Sequence, residues 1–182
     1  MIPNPEWDPI RQVRYSVAAS LDGFIAGPGG EYDWTPEEPR VDFQAFLEKI
    51  DTILNGRKTF EVVLEGGGLA SLPKVPVIAF SYTLEPGEQP DHTVVSGDAA
   101  DFVRRFKGQE GRGIWLFGGG RLFGSLLAAG VVDLSEVAIV PVMLGDGVPL
   151  VDIQRLVHLE LERTESFPSG ILLNRYRIKK TT

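Results

Sequence analysis

The run "GIWLFGGGRLFGSLLAAG" (Gly113 to Gly130) constrains the fold most. Its apolar opening reads as a buried strand, and the stretch after the glycines is an apolar, helix-like run closed by Gly130. A strand that becomes a helix across three residues is the building block of a sheet covered by helices. Three consecutive glycines also lose more backbone entropy on folding than any other tripeptide, so something must lie close to this main chain.

The rest of the chain repeats the alternation. "VRYSVAAS" (Val13 to Ser20) reads as a first buried strand, followed by a Gly-rich loop with turn chemistry at Asp22-Gly23 and Pro28-Gly29-Gly30. "RVDFQAFLEKI" places Val41, Phe43, Phe46, Leu47 and Ile50 near helical spacing. "DTILNG" is a short strand leading into the helix "RKTFEVVLEGG"; "VPVIAFS" and "HTVVSG" are strands, and "DAADFVRRFKG" is a helix stopped at Gly108. "EVAIVPVML" is a further strand, and the tail folds back as a hairpin at Pro168-Ser169-Gly170. In that tail Val157, Leu159 and Leu161 alternate with His158, Glu160 and Glu162, the pattern of a half-buried antiparallel strand. The expected fold is α/β: a mixed, mainly parallel central sheet flanked by helices, with a C-terminal antiparallel hairpin, in one domain spanning residues 1–182.

Composition narrows the function. With 18 basic and 25 acidic residues the chain carries a formal net charge of −7, which argues against nucleic acid or an anionic membrane as the main partner. It has no cysteine, so disulfides, thiolate metal sites and a cysteine nucleophile are excluded. The start "MIPNPEWDPIRQVRY" lacks the basic-then-apolar order of a signal peptide, and no apolar run reaches a bilayer-spanning length, so a cytoplasmic protein is expected. His92 and His158 lack partner spacing for a metal, Ser20, Ser81 and Ser96 lack nucleophile-elbow context, and "RRFK" (Arg104 to Lys107) reads as dipole-complementing charge at a helix end.

Two strand-to-helix junctions suit an anion. "NGRKTF" (Asn55 to Phe60) joins a helix start to the charges of Arg57 and Lys58 and the hydroxyl of Thr59; its alternative reading is an ordinary helix start with two solvated cations. At "GGGRLF", bare backbone can approach a pyrophosphate, although Phe123 stands where the dinucleotide fingerprint has its third glycine. Two such junctions at strand ends of one sheet suggest a ligand with several phosphates.

These stretches resemble the dihydrofolate reductase-like superfamily. "NGRKTF" and "GGGRLF" look like its cofactor segments, and "AASLDGFIAG" resembles the first strand and loop shared by dihydrofolate reductases and the reductase domain of riboflavin biosynthesis, with "SLDG" closer to the riboflavin branch. "GDGVPL" and the C-terminal hairpin match in order, so the resemblance runs from about Val13 to Ile178. It implies a reductase with bound NADPH, held at Gly56, Arg57, Lys58 and Thr59, with Ser81 toward the adenosine 2′-phosphate. Gly118, Gly119 and Gly120, with a cis peptide between the first two, would lie against the cofactor, and Arg121, Leu122 and Phe123 would continue that wall. Ala18 and Ile25 would flank the nicotinamide, and the riboflavin branch further implies a homodimer.

On the substrate side, hydride reduction of an imine or carbonyl needs a proton donor. Trp34 and Phe46 align with the superfamily so that Asp42 is the best-placed acid, with Asp33, Glu37 and Glu38 as competitors and a solvated helix residue as the alternative for Asp42. The threonine of folate-reducing enzymes has no equivalent, because no Thr or Ser occurs between Glu136 and Leu144, and only Lys74 stands where they use an arginine. Strict dihydrofolate reduction is therefore not expected. The bifunctional riboflavin enzyme is excluded by the missing cysteines, and a phosphate-bearing substrate would have only Arg40 and Lys49 on the first helix. The leading expectation is an NADPH-dependent reductase of a pteridine-like or riboflavin-precursor-like compound; the rival is an inactive nucleotide-binding protein of the same fold.

Overall fold

A computed structural model describes residues 11–179. The chain order is β1 (Val13–Ser20), β2 (Phe24–Ala26), α1 (Phe43–Leu47), β3 (Ile50–Gly56), α2 (Arg57–Glu65), a 3-10 turn (Leu69–Ser71), β4 (Val77–Phe80), β5 (Gly87–Glu88), β6 (Thr93–Val95) and α3 (Ala99–Lys107). It continues with β7 (Gly113–Gly118), α4 (Gly120–Ala128), β8 (Leu134–Val140), β9 (Val148–Pro149), β10 (Leu159–Ser166) and β11 (Leu172–Ile178).

Nine strands form one sheet in the order β10-β11-β8-β1-β7-β3-β4-β6-β5, and β2 pairs with β9 in a small second sheet. The six strands from β8 to β6 run parallel to their neighbours, and the antiparallel pairs lie at the two edges, β10–β11–β8 on one side and β5–β6 on the other. Successive side chains of a strand point to opposite faces. On one face Val13, Tyr15, Leu54, Ile114 and Leu116 pack with Val103 of α3 and Phe123, Leu126 and Leu127 of α4. On the other, Ile50, Ile53 and Trp115 pack with Phe60 of α2 and with Phe46 and Leu47 of α1. A third cluster of Val140, Phe167 and Ile171, with Ala18, Trp34 and Val41, seals the C-terminal end of β1.

Three elements depart from the sequence reading. The first helix has five residues instead of the longer run expected from Val41 to Ile50, because Ile50 is already drawn into β3. β8 starts two residues early, at Leu134, and ends before Pro141, which has no N–H to give to the ladder. β10 is not half-buried: Leu159 is 45% and Leu161 56% exposed, since among the described residues the strand forms the sheet's outer edge and pairs with β11 alone. Val157, expected in that strand, precedes it and packs on the core.

A segment between β9 and β10 explains two glycines. A Cβ on Gly124 would stand 1.9 Å from the Asp152 carbonyl oxygen, and one on Gly120 would stand 2.2 Å from that of Pro149. Residues 149–152 thus strap directly onto the backbone of α4, with the Asp152 N–H donating to the Gly120 carbonyl at 3.1 Å. Under the strap, Tyr15 stacks on Phe123 with ring centroids 3.8 Å apart and donates its hydroxyl to the Leu150 carbonyl at 2.9 Å. Burial pushes that phenol far above its ordinary pKa, so it remains a neutral donor.

Asn55 is fully buried near the end of β3, and among the described residues neither polar atom of its carboxamide has a hydrogen-bond partner. Such groups retain most of their desolvation penalty. Asn55→Leu is therefore expected to raise the free energy of unfolding by about 1 kcal/mol, read as a higher urea midpoint at unchanged slope. Gly124→Ala is expected to lower it by about 2–3 kcal/mol, because main chain cannot move aside cheaply; a loss below about 0.5 kcal/mol would mean that the strap is free to yield.

Candidate functional site

β3 and β7 are neighbours in the sheet, and their carboxyl ends lie side by side, with Asn55 in register with Gly118. Each strand leads at once into a nine-residue helix, β3 into α2 and β7 into α4. The N-caps, Gly56 and Gly119, carry no side chain to satisfy the first N–H groups of those helices. The other two helices are treated differently. Asp98 caps α3 by accepting from the N–H groups of Ala100 and Asp101, and Asp42 caps α1 by accepting from Ala45. Open donors and a positive dipole end make each bare helix start attractive to an anion, and here two such starts adjoin.

Thr59 ties the two junctions together. A Cβ added to Gly118 would stand 3.0 Å, and one on Gly119 3.1 Å, from the Thr59 hydroxyl oxygen. The peptide joining these two glycines is cis. The glycine triplet thus has two kinds of neighbour: Thr59 lies against Gly118 and Gly119, and the 149–152 strap lies against Gly120. The strap accounts for the bareness of Gly120.

The remaining candidate residues separate on burial. Arg57 and Lys58 are exposed at the start of α2. The Arg57 guanidinium lies 3.7 Å from the Glu61 carboxylate and donates to the Thr83 hydroxyl at 3.3 Å. Ser81 is buried, and its hydroxyl oxygen accepts from the N–H groups of Thr83 at 3.1 Å and Leu84 at 2.9 Å. It caps the turn after β4 and does not face outward; Thr83, exposed and joined to Arg57, does. Leu122 is partly buried, with its Cβ 3.5 Å from the point where a Cβ on Gly56 would stand. Arg121 is exposed, 3.8 Å from Asp152. Phe123 is 4% exposed and stacked on Tyr15, so its ring belongs to the core. Ala18 and Ile25 are partly buried at the end of β1 and in β2.

The acids are dispersed. Asp42 is exposed, and its Oδ1 accepts from the Ala45 N–H at 2.9 Å, the capping geometry of a helix surface. The hydroxyl of Ser169, on the hairpin turn, donates to Glu38 and holds its carboxyl below the usual range, so it stays ionised at neutral pH. Asp33 and Glu37 are exposed. Lys74 and Arg40 face water. Among the described residues no group of His, Asp and Glu is arranged to hold a metal.

The sequence reading missed a charged ladder on the face of β1 that also carries Ser16 and Ala18. Arg14 is 3% exposed and 3.8 Å from Glu136 on β8. Arg175 on β11 lies 3.7 Å from Glu136 and 3.0 Å from Glu162 on β10, and Arg177 lies 2.5 Å from Glu162. Burial lowers Arg14 to about 10, and Glu136 counters that shift, leaving a cation at neutral pH. Its signal was a single arginine set between Val13 and Tyr15 in an apolar run. Also missed was Asp22, whose carboxylate joins the first loop to the segment after β8.

Comparison with known proteins places this geometry. The model of the RibD C-terminal domain family matches residues 11–68 and 71–173. The uncharacterized protein YyaP of Bacillus subtilis (strain 168) is 31% identical over 173 residues, covering 89% of this chain and 92% of the relative. A solved structure from Shewanella sp. PV-4, named for riboflavin biosynthesis, superposes with a TM-score of 0.81 at 25% identity, covering 93% of this chain and 99% of that one. The dihydrofolate reductase of Enterococcus faecalis, solved with NADP(H), has the same fold at a TM-score of 0.68 and 17% identity, covering 93% of this chain and 97% of that one. The architecture is thus dihydrofolate-reductase-like, and the matched segments include both bare helix starts and most of the C-terminal hairpin. The chain belongs to the RibD C-terminal domain family.

Proposed function

We propose that the protein is a cytoplasmic, NADPH-dependent reductase that delivers hydride to a small heterocyclic or carbonyl substrate of the pteridine or riboflavin-precursor kind. One observation carries the reading: two adjoining helix starts lack side-chain caps, with a threonine hydroxyl between them, while the other two helices are capped by aspartates. Unsatisfied N–H groups at a strand-end junction suit a pyrophosphate, which accepts from both helices at once. The family match and the NADP(H) complex of a protein with the same fold support this choice of ligand.

In this reading the first turns of α2 and α4 hold the pyrophosphate, and Thr59 donates to it from between them. Arg57 and Thr83, joined at 3.3 Å on the outer side, take the 2′-phosphate, with Ser81 behind them on the turn after β4. Ala18 and Ile25 form the apolar side of the nicotinamide pocket and exclude water from it. The bound cofactor supplies a hydride from its dihydronicotinamide ring, so the acceptor carbon gains the electron pair and the adjoining nitrogen or oxygen takes a proton. Asp42, with Asp33, Glu37 and Glu38 as alternatives, relays that proton through water. The homodimer belongs to the same proposal, with the exposed Leu159 and Leu161 of the outer strand as apolar surface for it to cover.

An inactive nucleotide-binding protein is the second reading, and one observation favours it: the Asp42 carboxylate is already engaged as a helix cap. A panel of pteridine, pyrimidine and carbonyl substrates, followed at the NADPH absorbance band, decides between them. The reductase reading expects turnover that collapses in Asp42→Asn; turnover by no substrate supports the binding protein. For the cofactor, Arg57→Ala is expected to weaken NADPH about tenfold while NADH changes less than about twofold, measured by fluorescence titration. Equal losses for both would remove Arg57 from the 2′-phosphate.

A further inference from the structure

β1 ends at Ser20, which is fully buried, and the chain turns back through Asp22 and Gly23, whose φ of +89° favours glycine. The Ser20 hydroxyl donates to Asp22 Oδ1 at 2.6 Å and accepts from the Phe24 N–H at 2.9 Å. Asp22 then reaches a segment more than a hundred residues away in sequence. Its carboxylate accepts from the Leu144 N–H at 3.1 Å and from the Gly145 N–H at 2.7 Å. Those three donors, Ser20 first, hold the Asp22 carboxyl below its ordinary pKa.

Around this contact the first loop and the segment after β8 are joined main chain to main chain. Leu21 N–H donates to the Val142 carbonyl at 2.8 Å, Leu150 N–H donates to Gly23 at 2.8 Å, and Phe24 and Ala26 pair with Pro149 and Val148. A Cβ on Gly147 would stand 2.2 Å from the Ala26 carbonyl oxygen, so the two segments touch without side chains between them. The same segment runs on as the strap over Gly120, at the start of α4. Asp22 therefore sits where the loop carrying Ile25 is fastened to the backbone that also bounds one of the bare helix starts. A carboxylate suits the post because it presents two acceptor oxygens, one to Ser20 and one to Gly145, with Leu144 donating to both, whereas an amide keeps one acceptor and loses the charge.

We propose that Asp22 is a positioning residue: by accepting from Leu144 and Gly145 it holds Ile25 and the end of β1 as a preformed wall for the nicotinamide end of the cofactor. This rests on the reductase reading above. It concerns the loop and not the phosphates, so the two ends of the cofactor respond differently. Affinity gained from a wall already in place disappears when the wall must be ordered on binding.

The test compares NADPH with adenosine 2′,5′-bisphosphate, which has the adenosine end and no nicotinamide, in the wild type, Asp22→Asn and Asp22→Glu. The expected result for Asp22→Asn is about a tenfold loss for NADPH with less than about a twofold change for the bisphosphate, and partial recovery in Asp22→Glu, which keeps the charge and both acceptor oxygens. Hydrogen exchange in the unliganded wild type adds a readout independent of any variant's folding: the Leu144 and Gly145 amides are expected to be protected. Equal losses for both ligands, no loss for either, or unprotected amides in the wild type would overturn the role of Asp22. A wild type that binds the bisphosphate but not NADPH also overturns it, while one that binds neither overturns the cofactor reading itself.

Discussion

The register between β3 and β7 is the constraint on which the rest depends. Pairing Asn55 with Gly118 makes both strands end together, so α2 and α4 must start together. Thr59 occupies the space between their first turns, and a Cβ on Gly118 would stand 3.0 Å from its hydroxyl oxygen. Slipping either strand by one residue would invert its side chains between the two cores and pull the helix starts apart. Packing of the two sheet faces and the geometry of the paired helix starts are therefore one problem.

The 149–152 strap is the second half of that solution. It closes over α4 through Gly120 and Gly124, accepts the buried Tyr15 hydroxyl at Leu150 and returns to the first loop through β9. The nucleotide site proposed at the helix starts would need the chain beyond it held still, because backbone donors cannot adjust their direction as side chains can. The strap does this with main-chain hydrogen bonds and bare glycines.

Much of this is legible in the sequence alone. Val13 to Ser20 stands as a strand with the ends read from its apolar run, and the helix starts at Arg57 and near Gly120 follow from glycine punctuation. What was not legible depends on distant partners. Phe123 resembles a cofactor residue by position, yet the ring of Tyr15, more than a hundred residues earlier, claims it for the core. Ser81 is drawn inward by two N–H groups of its own turn. Leu159 and Leu161 alternate as a half-buried strand does, but alternation cannot tell an edge from an interior. Gly120 looks bare for a ligand because local sequence does not say that Pro149 will lie on it.

The central claim is that both helix starts grip one ligand. Amide chemical-shift mapping during a titration with NADPH tests it most directly. The account predicts that the N–H signals of residues 57–59 and of 120–122 move together, with one common dissociation constant. Movement confined to one helix start, or two sets of shifts following different saturation curves, would contradict it.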